Sequence, residues 1–181
     1  QQQQQQQQQQ SEEPPVSTEL LRHWINAAKL CDVGLLQQLL ALEPRMLCMR
    51  GPGGLGHTAL HWAAAKDGAV CQGTVTIEVV SEEARTVKWL LSRGAPPGLR
   101  NAEGATPLHA AARNGRLAAA DALLAACADR AFPQDSGGGE LSWLLGAVDG
   151  DGDTAESLAI RHGHMPLVDL LRQYATRASG G

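Results

Sequence analysis

The chain has 181 residues, a formal net charge of −4 and 43% hydrophobic residues, of which few are aromatic (3% of the chain). That charge argues against non-specific nucleic-acid binding, which needs a basic surface, and no apolar run approaches the roughly 20 residues of a membrane-spanning helix. The cysteines, Cys31, Cys48, Cys71 and Cys127, form no C-x-x-C pair. They read as reduced thiols of an intracellular protein, cytoplasmic or nuclear.

Residues 1–17 hold ten glutamines followed by Ser11-Glu12-Glu13-Pro14-Pro15. With nothing to bury, this stretch is expected to be a disordered polyglutamine and proline-containing tail. It begins without a methionine, so the chain is taken as a fragment of something longer.

Residues 20–30 place Trp24, Ala27 and Ala28 on one helical face, and residues 33–42 do the same with Leu35, Leu36, Leu39 and Leu40. This is the first helix pair, over about 18–48. Gly51-Pro52-Gly53-Gly54 then signals a turn. His57-Thr58-Ala59-Leu60-His61-Trp62-Ala63-Ala64 opens a second unit, spanning about 53–100. Its second helix, with Val87-Lys88-Trp89-Leu90-Leu91, is delayed by an insertion over 69–81, within which residues 74–80 alternate like an extended segment.

The third unit, 101–129, is the clearest. Thr106 is a helix-capping residue and Pro107 suits the first helical position, where its missing N–H costs nothing. Leu108, Ala111 and Ala112 form a narrow apolar stripe, and Gly115 permits the left-handed exit. Three adjacent alanines bury little area, so this short helix depends on close neighbours. A second insertion, 130–148, starts as a linker over 133–139 and continues with Glu140-Leu141-Ser142-Trp143-Leu144-Leu145, an apolar helical turn expected to fold back on its neighbours. The last unit, 149–175, pairs Thr154-Ala155-Glu156-Ser157-Leu158-Ala159 with Leu167, Val168, Leu170 and Leu171. Residues 176–181 are expected to be a disordered tail.

Three stretches suggest chemistry and fail at a required position. Gly51 to Thr58 nearly fits a phosphate-binding loop, but His57 stands where its lysine must reach the phosphates. Asp149-Gly150-Asp151-Gly152-Asp153-Thr154 starts like a calcium loop, yet Thr154 replaces the glycine and Ile160 the final glutamate. His57 and His61 have a metal-ligand spacing with no glutamate beside His57 as in a zinc protease helix. No nucleophile–base pair is legible. The chain is therefore not expected to be an enzyme or to hold a cofactor or metal. Trp62 and Trp89 are assigned to the core, whereas Trp143, in an insertion, is the exposed candidate.

The T-x-L-H-x-A-A core at 58–64 and 106–112, with the D-x-x-G-x-T lead-in at 149–154 and its counterpart at 101–106, resembles the ankyrin repeat, a unit of about 33 residues. The resemblance implies an all-α ankyrin-repeat solenoid of about four stacked helix pairs with hairpin-like turns and two insertions, the first pair being an atypical terminal repeat. It implies a protein–protein interaction module, an adaptor or scaffold. The alternative is the regulatory ankyrin portion of a larger protein, such as an enzyme, whose remainder lies upstream. Binding in the family uses hairpin tips and the exposed side of the first helices. The matching positions are Leu55 and His57 with Ala65 and Lys66, then Glu103 and Ala105 with Arg113 and Asn114, then Asp151 and Asp153 with Arg161 and His162. They imply a mixed-charge groove, acidic at the C-terminal hairpin, on a protein otherwise monomeric. The protein partner is not identified by the sequence; neither nucleic acid nor membrane is expected.

Overall fold

The computed structural model describes residues 16–66, 81–129 and 140–179. The glutamine tract, residues 74–80 and the 133–139 linker lie outside the described residues. The described residues are helical apart from two isolated antiparallel bridges, Arg50 with Thr58 and Val148 with Thr154, which close hairpin turns.

Four helix pairs follow one another: α1 (Thr18–Leu30) with α2 (Val33–Leu42), α3 (Ala59–Ala65) with α4 (Glu82–Ser92), α5 (Pro107–Arg113) with α6 (Leu117–Asp129), and α8 (Ala155–Arg161) with α9 (Met165–Ser179). A short 3-10 helix, Pro44–Cys48, follows α2, and α7 (Glu140–Gly146) sits inside the second insertion. The first helices α1, α3, α5 and α8 pack in a row, and α4, α6 and α9 form a second row behind them.

Residue size explains the two layers. Ala27, Ala28, Ala63, Ala64, Ala111, Ala112 and Ala159 are buried on the first helices, so those helices approach closely. Larger side chains, among them Leu36, Leu90, Leu123, Leu124, Leu167 and Leu171, fill the space behind. Burying each such leucine contributes about 1.5–3 kcal/mol of transfer free energy, which the short helices need because isolated helices of seven residues do not persist in water.

Repeats two and three are each pinned to the next by polar contacts in a consistent pattern. His61 Nδ1 accepts from the Thr58 amide at 3.3 Å and lies 2.8 Å from Thr58 Oγ1, which fixes its proton on Nε2. Nε2–H then donates to the carbonyl of Ala105 at 2.9 Å, one repeat later. His109 repeats this with Thr106 and the carbonyl of Asp153. Arg50 donates to the Arg100 carbonyl and Arg100 to the Val148 carbonyl. In the opposite direction, the Ala102 amide donates to Leu55 and the Gly150 amide to Glu103. In the last repeat the histidine and arginine positions hold Ser157 and Val148. Ser157 Oγ turns back onto its own repeat, 2.9 Å from the Thr154 carbonyl.

The insertion helix α7 packs on α6 and α9, with Leu144 fully buried, so it does fold back onto the stack. Trp143 is 46% exposed, yet its ring lies directly on Gly98: a Cβ there would meet Trp143 Cζ3 at 2.6 Å. Gly115 (φ +66°) similarly gives room to the His164 ring, whose Nε2 lies 3.3 Å from the Arg113 carbonyl. Glu156 takes the position that Leu60 and Leu108 hold in other repeats and pairs with Arg172 of α9 at 2.8 Å.

One boundary is corrected. The terminal residues 176–181 are not all tail, because α9 runs to Ser179. Beyond Pro166 in its first turn, no glycine or proline follows before Gly180, and Thr176 Oγ1 bonds back to the Arg172 carbonyl.

Candidate functional site

The hairpins and the first helices enclose a groove along one face of the stack. Its floor comes from α1, α3 and α5, which present Lys29, Trp62, Ala65, Ala110 and Arg113; Lys66 and Asn114 follow at the helix ends. Its wall comes from His57, Asn101, Glu103 and Ala105 on the hairpins. The cavity between them has a volume of about 440 Å³. A second cavity of about 300 Å³ continues it toward the first repeat, lined by Arg22, Ile25 and Asn26 of α1 and the turn from Gly51 to Gly56. Lys29, His57 and Trp62 border both.

The hairpins hold their shape through their own side chains. Asn101 Oδ1 accepts from the amides of Glu103 and Ala105, each at 2.9 Å, and Asp149 Oδ1 accepts from those of Asp151 and Asp153, each at 3.0 Å. With its oxygen so engaged, Asn101 donates through Nδ2 to His57 Nδ1 at 3.2 Å, leaving the His57 proton on Nε2. Burial pushes the His57 imidazole below its ordinary pKa, with Arg113 and Lys29 adding to the effect against the opposing pull of Glu103. His61, deeper, is pushed down to about 4 by burial, and His109 is lowered for the same reason. All three rings are thereby neutral near pH 7.

Trp62 is half-buried, with its ring bounded by the Lys29 ammonium 4.0 Å from the centroid and by the His57 ring in a T-shaped contact, centroids 5.1 Å apart. The sequence reading placed Trp62 in the core. Instead it borders the groove, because it sits one turn along α3 at the position that Ala110 takes in α5.

The structure gathers part of the expected site. His57, Lys66, Glu103, Arg113 and Asn114 line the larger cavity, and Leu55, 45% exposed, lines the smaller. Asp151, Asp153, Arg161 and His162 border neither. Asp153 is engaged by Arg161 at 2.7 Å, and His162 stacks on His164 with centroids 6.2 Å apart. Asp151 is exposed. Lys29 was not singled out from the sequence, although aligning Ala27-Ala28 with Ala111-Ala112 puts it in register with Arg113.

Among the described residues no cluster of three or more His, Cys, Asp or Glu is arranged to hold a metal, and no helix is long and apolar enough to cross a membrane. The family of ankyrin repeats, in three copies, matches residues 75–179. The chain belongs to the ankyrin-repeat family. Ankyrin repeats generally mediate protein–protein interaction, and the groove lies on the hairpin and first-helix face of this array. The chain is also similar to NF-kappa-B inhibitor alpha of Homo sapiens (31% identity over 100 residues) and of Sus scrofa (32% over 100 residues). Each match covers 55% of this ankyrin chain and 29% of the relative, so the similarity spans less than a third of those proteins.

Proposed function

We propose that this ankyrin array is an intracellular recognition module of the adaptor or scaffold type, which binds a protein partner in the groove formed by repeats one to three. The observation that supports it best is the composition of that groove: a cavity of about 440 Å³ in which Trp62 and the small side chains of Ala65 and Ala110 offer apolar contact beside the charged Lys66, Glu103 and Arg113. Sites that bind other molecules combine apolar surface with a few placed polar groups. Mounting them on helices rather than on a mobile loop limits the entropy lost on binding. The exposed Asp151, Arg161 and His162, with the mostly buried Asp153 held by Arg161, extend the contact face toward repeat four. The similar proteins are named as inhibitors of NF-kappa-B, which fits a module whose work is done by binding.

Arg113 is the residue to change first. It is 45% exposed, its ion pair with Asp149 is long at 3.9 Å, and arginine is enriched among residues that dominate interfaces. The tagged chain is used to capture a partner, and the affinity of that partner is then measured against variants. Arg113→Ala is expected to weaken it by at least about 1 kcal/mol with the fold intact, whereas Lys88→Ala, exposed on α4, leaves it unchanged. If deleting residues 133–139 abolishes binding and Arg113→Ala does not, the insertion rather than the groove is the contact site.

A further inference from the structure

The charge in the groove runs against the charge of the chain. Arg22, Lys29, Lys66 and Arg113 line the two cavities, against a single carboxylate, Glu103. The whole chain carries −4, so the cations are gathered here and the excess acid lies elsewhere. Among the described residues neither Lys29 nor Lys66 has a carboxylate within 4.0 Å, and the Lys29 ammonium rests on the Trp62 ring. Arg113 reaches only the far oxygen of Asp149, whose other oxygen already serves two amides of its own turn.

Resting on the recognition reading above, we infer that the groove takes an acidic peptide segment, its carboxylates on Lys29, Lys66 and Arg113 and an apolar side chain on Trp62. An incoming carboxylate gains cations that the fold has left without close acidic partners, so little existing pairing is lost when it binds. Complementary charge of this kind raises the association rate and selects against basic competitors. The half-buried Trp62 supplies the apolar anchor that charge alone lacks. A nucleic-acid strand shares the negative charge but suits the groove less well. It would need successive aromatic platforms, and here Trp62 is the one large aromatic ring among the lining residues, with Glu103 on the lip.

The test selects binders to the intact chain from a random-peptide phage library and measures synthetic copies of the selected peptides by fluorescence anisotropy. Expected are sequences enriched in Asp and Glu around an apolar residue. Their affinity should fall about tenfold or more with Lys29→Glu plus Lys66→Glu and weaken with added salt, as exposed charge pairs do. Lys88→Glu, the same charge change on α4, should leave it unaltered. Neutral or basic peptides that still depend on Lys29 and Lys66 would overturn the acidic specificity while leaving the groove as the site. Peptides indifferent to both lysines would overturn the groove itself. An oligouridylate that binds as tightly as the selected peptides and displaces them would show a general polyanion site and refute the peptide assignment.

Discussion

His61 Nε2 donates to the backbone carbonyl of Ala105 across 44 residues of sequence, while its Nδ1 accepts from the amide of Thr58. One neutral imidazole thus caps its own helix and holds the next hairpin. Protonating it would place a second N–H against the Thr58 amide and lose that acceptor.

The first prediction follows from this relation. The folded-state pKa of His61 is near 4, below the ordinary 6.5, so its stabilisation is complete above pH 6.5. It is lost as the pH falls, because the unfolded chain binds the proton first, and the loss levels off near pH 4. The full span is worth about 3 kcal/mol, and the lowered His109 adds in the same direction. Urea unfolding at pH 7 and pH 5 checks this: stability is expected to drop at pH 5, and His61→Gln should show a shallower dependence. A flat profile between the two pH values would contradict it.

Leu108 is fully buried in the repeat flanked on both sides. Leu108→Ala is expected to cost about 2–5 kcal/mol. Leu20, partly buried in α1 of the terminal repeat, should cost less on the same change. Equal losses for the two variants in chemical denaturation would show that the third repeat is not the better packed.

Gly98 and Trp143 should behave as a coupled pair. Gly98→Ala forces its Cβ into the Trp143 ring and is expected to destabilise by about 1–3 kcal/mol, the usual cost of overpacking. In a Trp143→Ala background that cost should disappear, a coupling readable from a double-mutant cycle. Additive effects would mean that the ring is not seated on Gly98.

ATP, calcium ions and zinc ions are expected to leave the melting temperature unchanged. Any ligand that binds the folded state raises apparent stability by mass action. A reproducible upward shift with millimolar calcium or ATP would restore the loop readings that fail at His57, Thr154 and Ile160.

The third repeat was legible because every local signal agrees there: Thr106 at the cap, Pro107 at the first helical position, Leu108 inward and Gly115 at the exit. The groove was legible only in part. Arg113 could be read from its regular repeat, but Lys29 sits in one whose threonine and histidine positions hold Arg22 and Ile25, which hides the register. Ile25 instead packs against Gly51. Trp62 was misplaced because bulk and hydrophobicity do not tell which side of α3 faces a neighbour and which faces the groove. Nor does an arginine announce its target, and the carbonyl that Arg50 reaches lies 50 residues further on.

The rungs between repeats have a direction, and that makes the array behave like a set of keyed parts. Repeats two and three each present an arginine and a histidine forward, and repeats three and four receive them on hairpin carbonyls, whereas repeat four carries Val148 and Ser157 at the forward positions. A duplicate of repeat three spliced in after the original would therefore find a matching neighbour on each side. A duplicate of repeat four spliced between two and three would receive its neighbour's arginine and histidine and offer neither onward, leaving that seam to the backbone amide rung and helix packing alone.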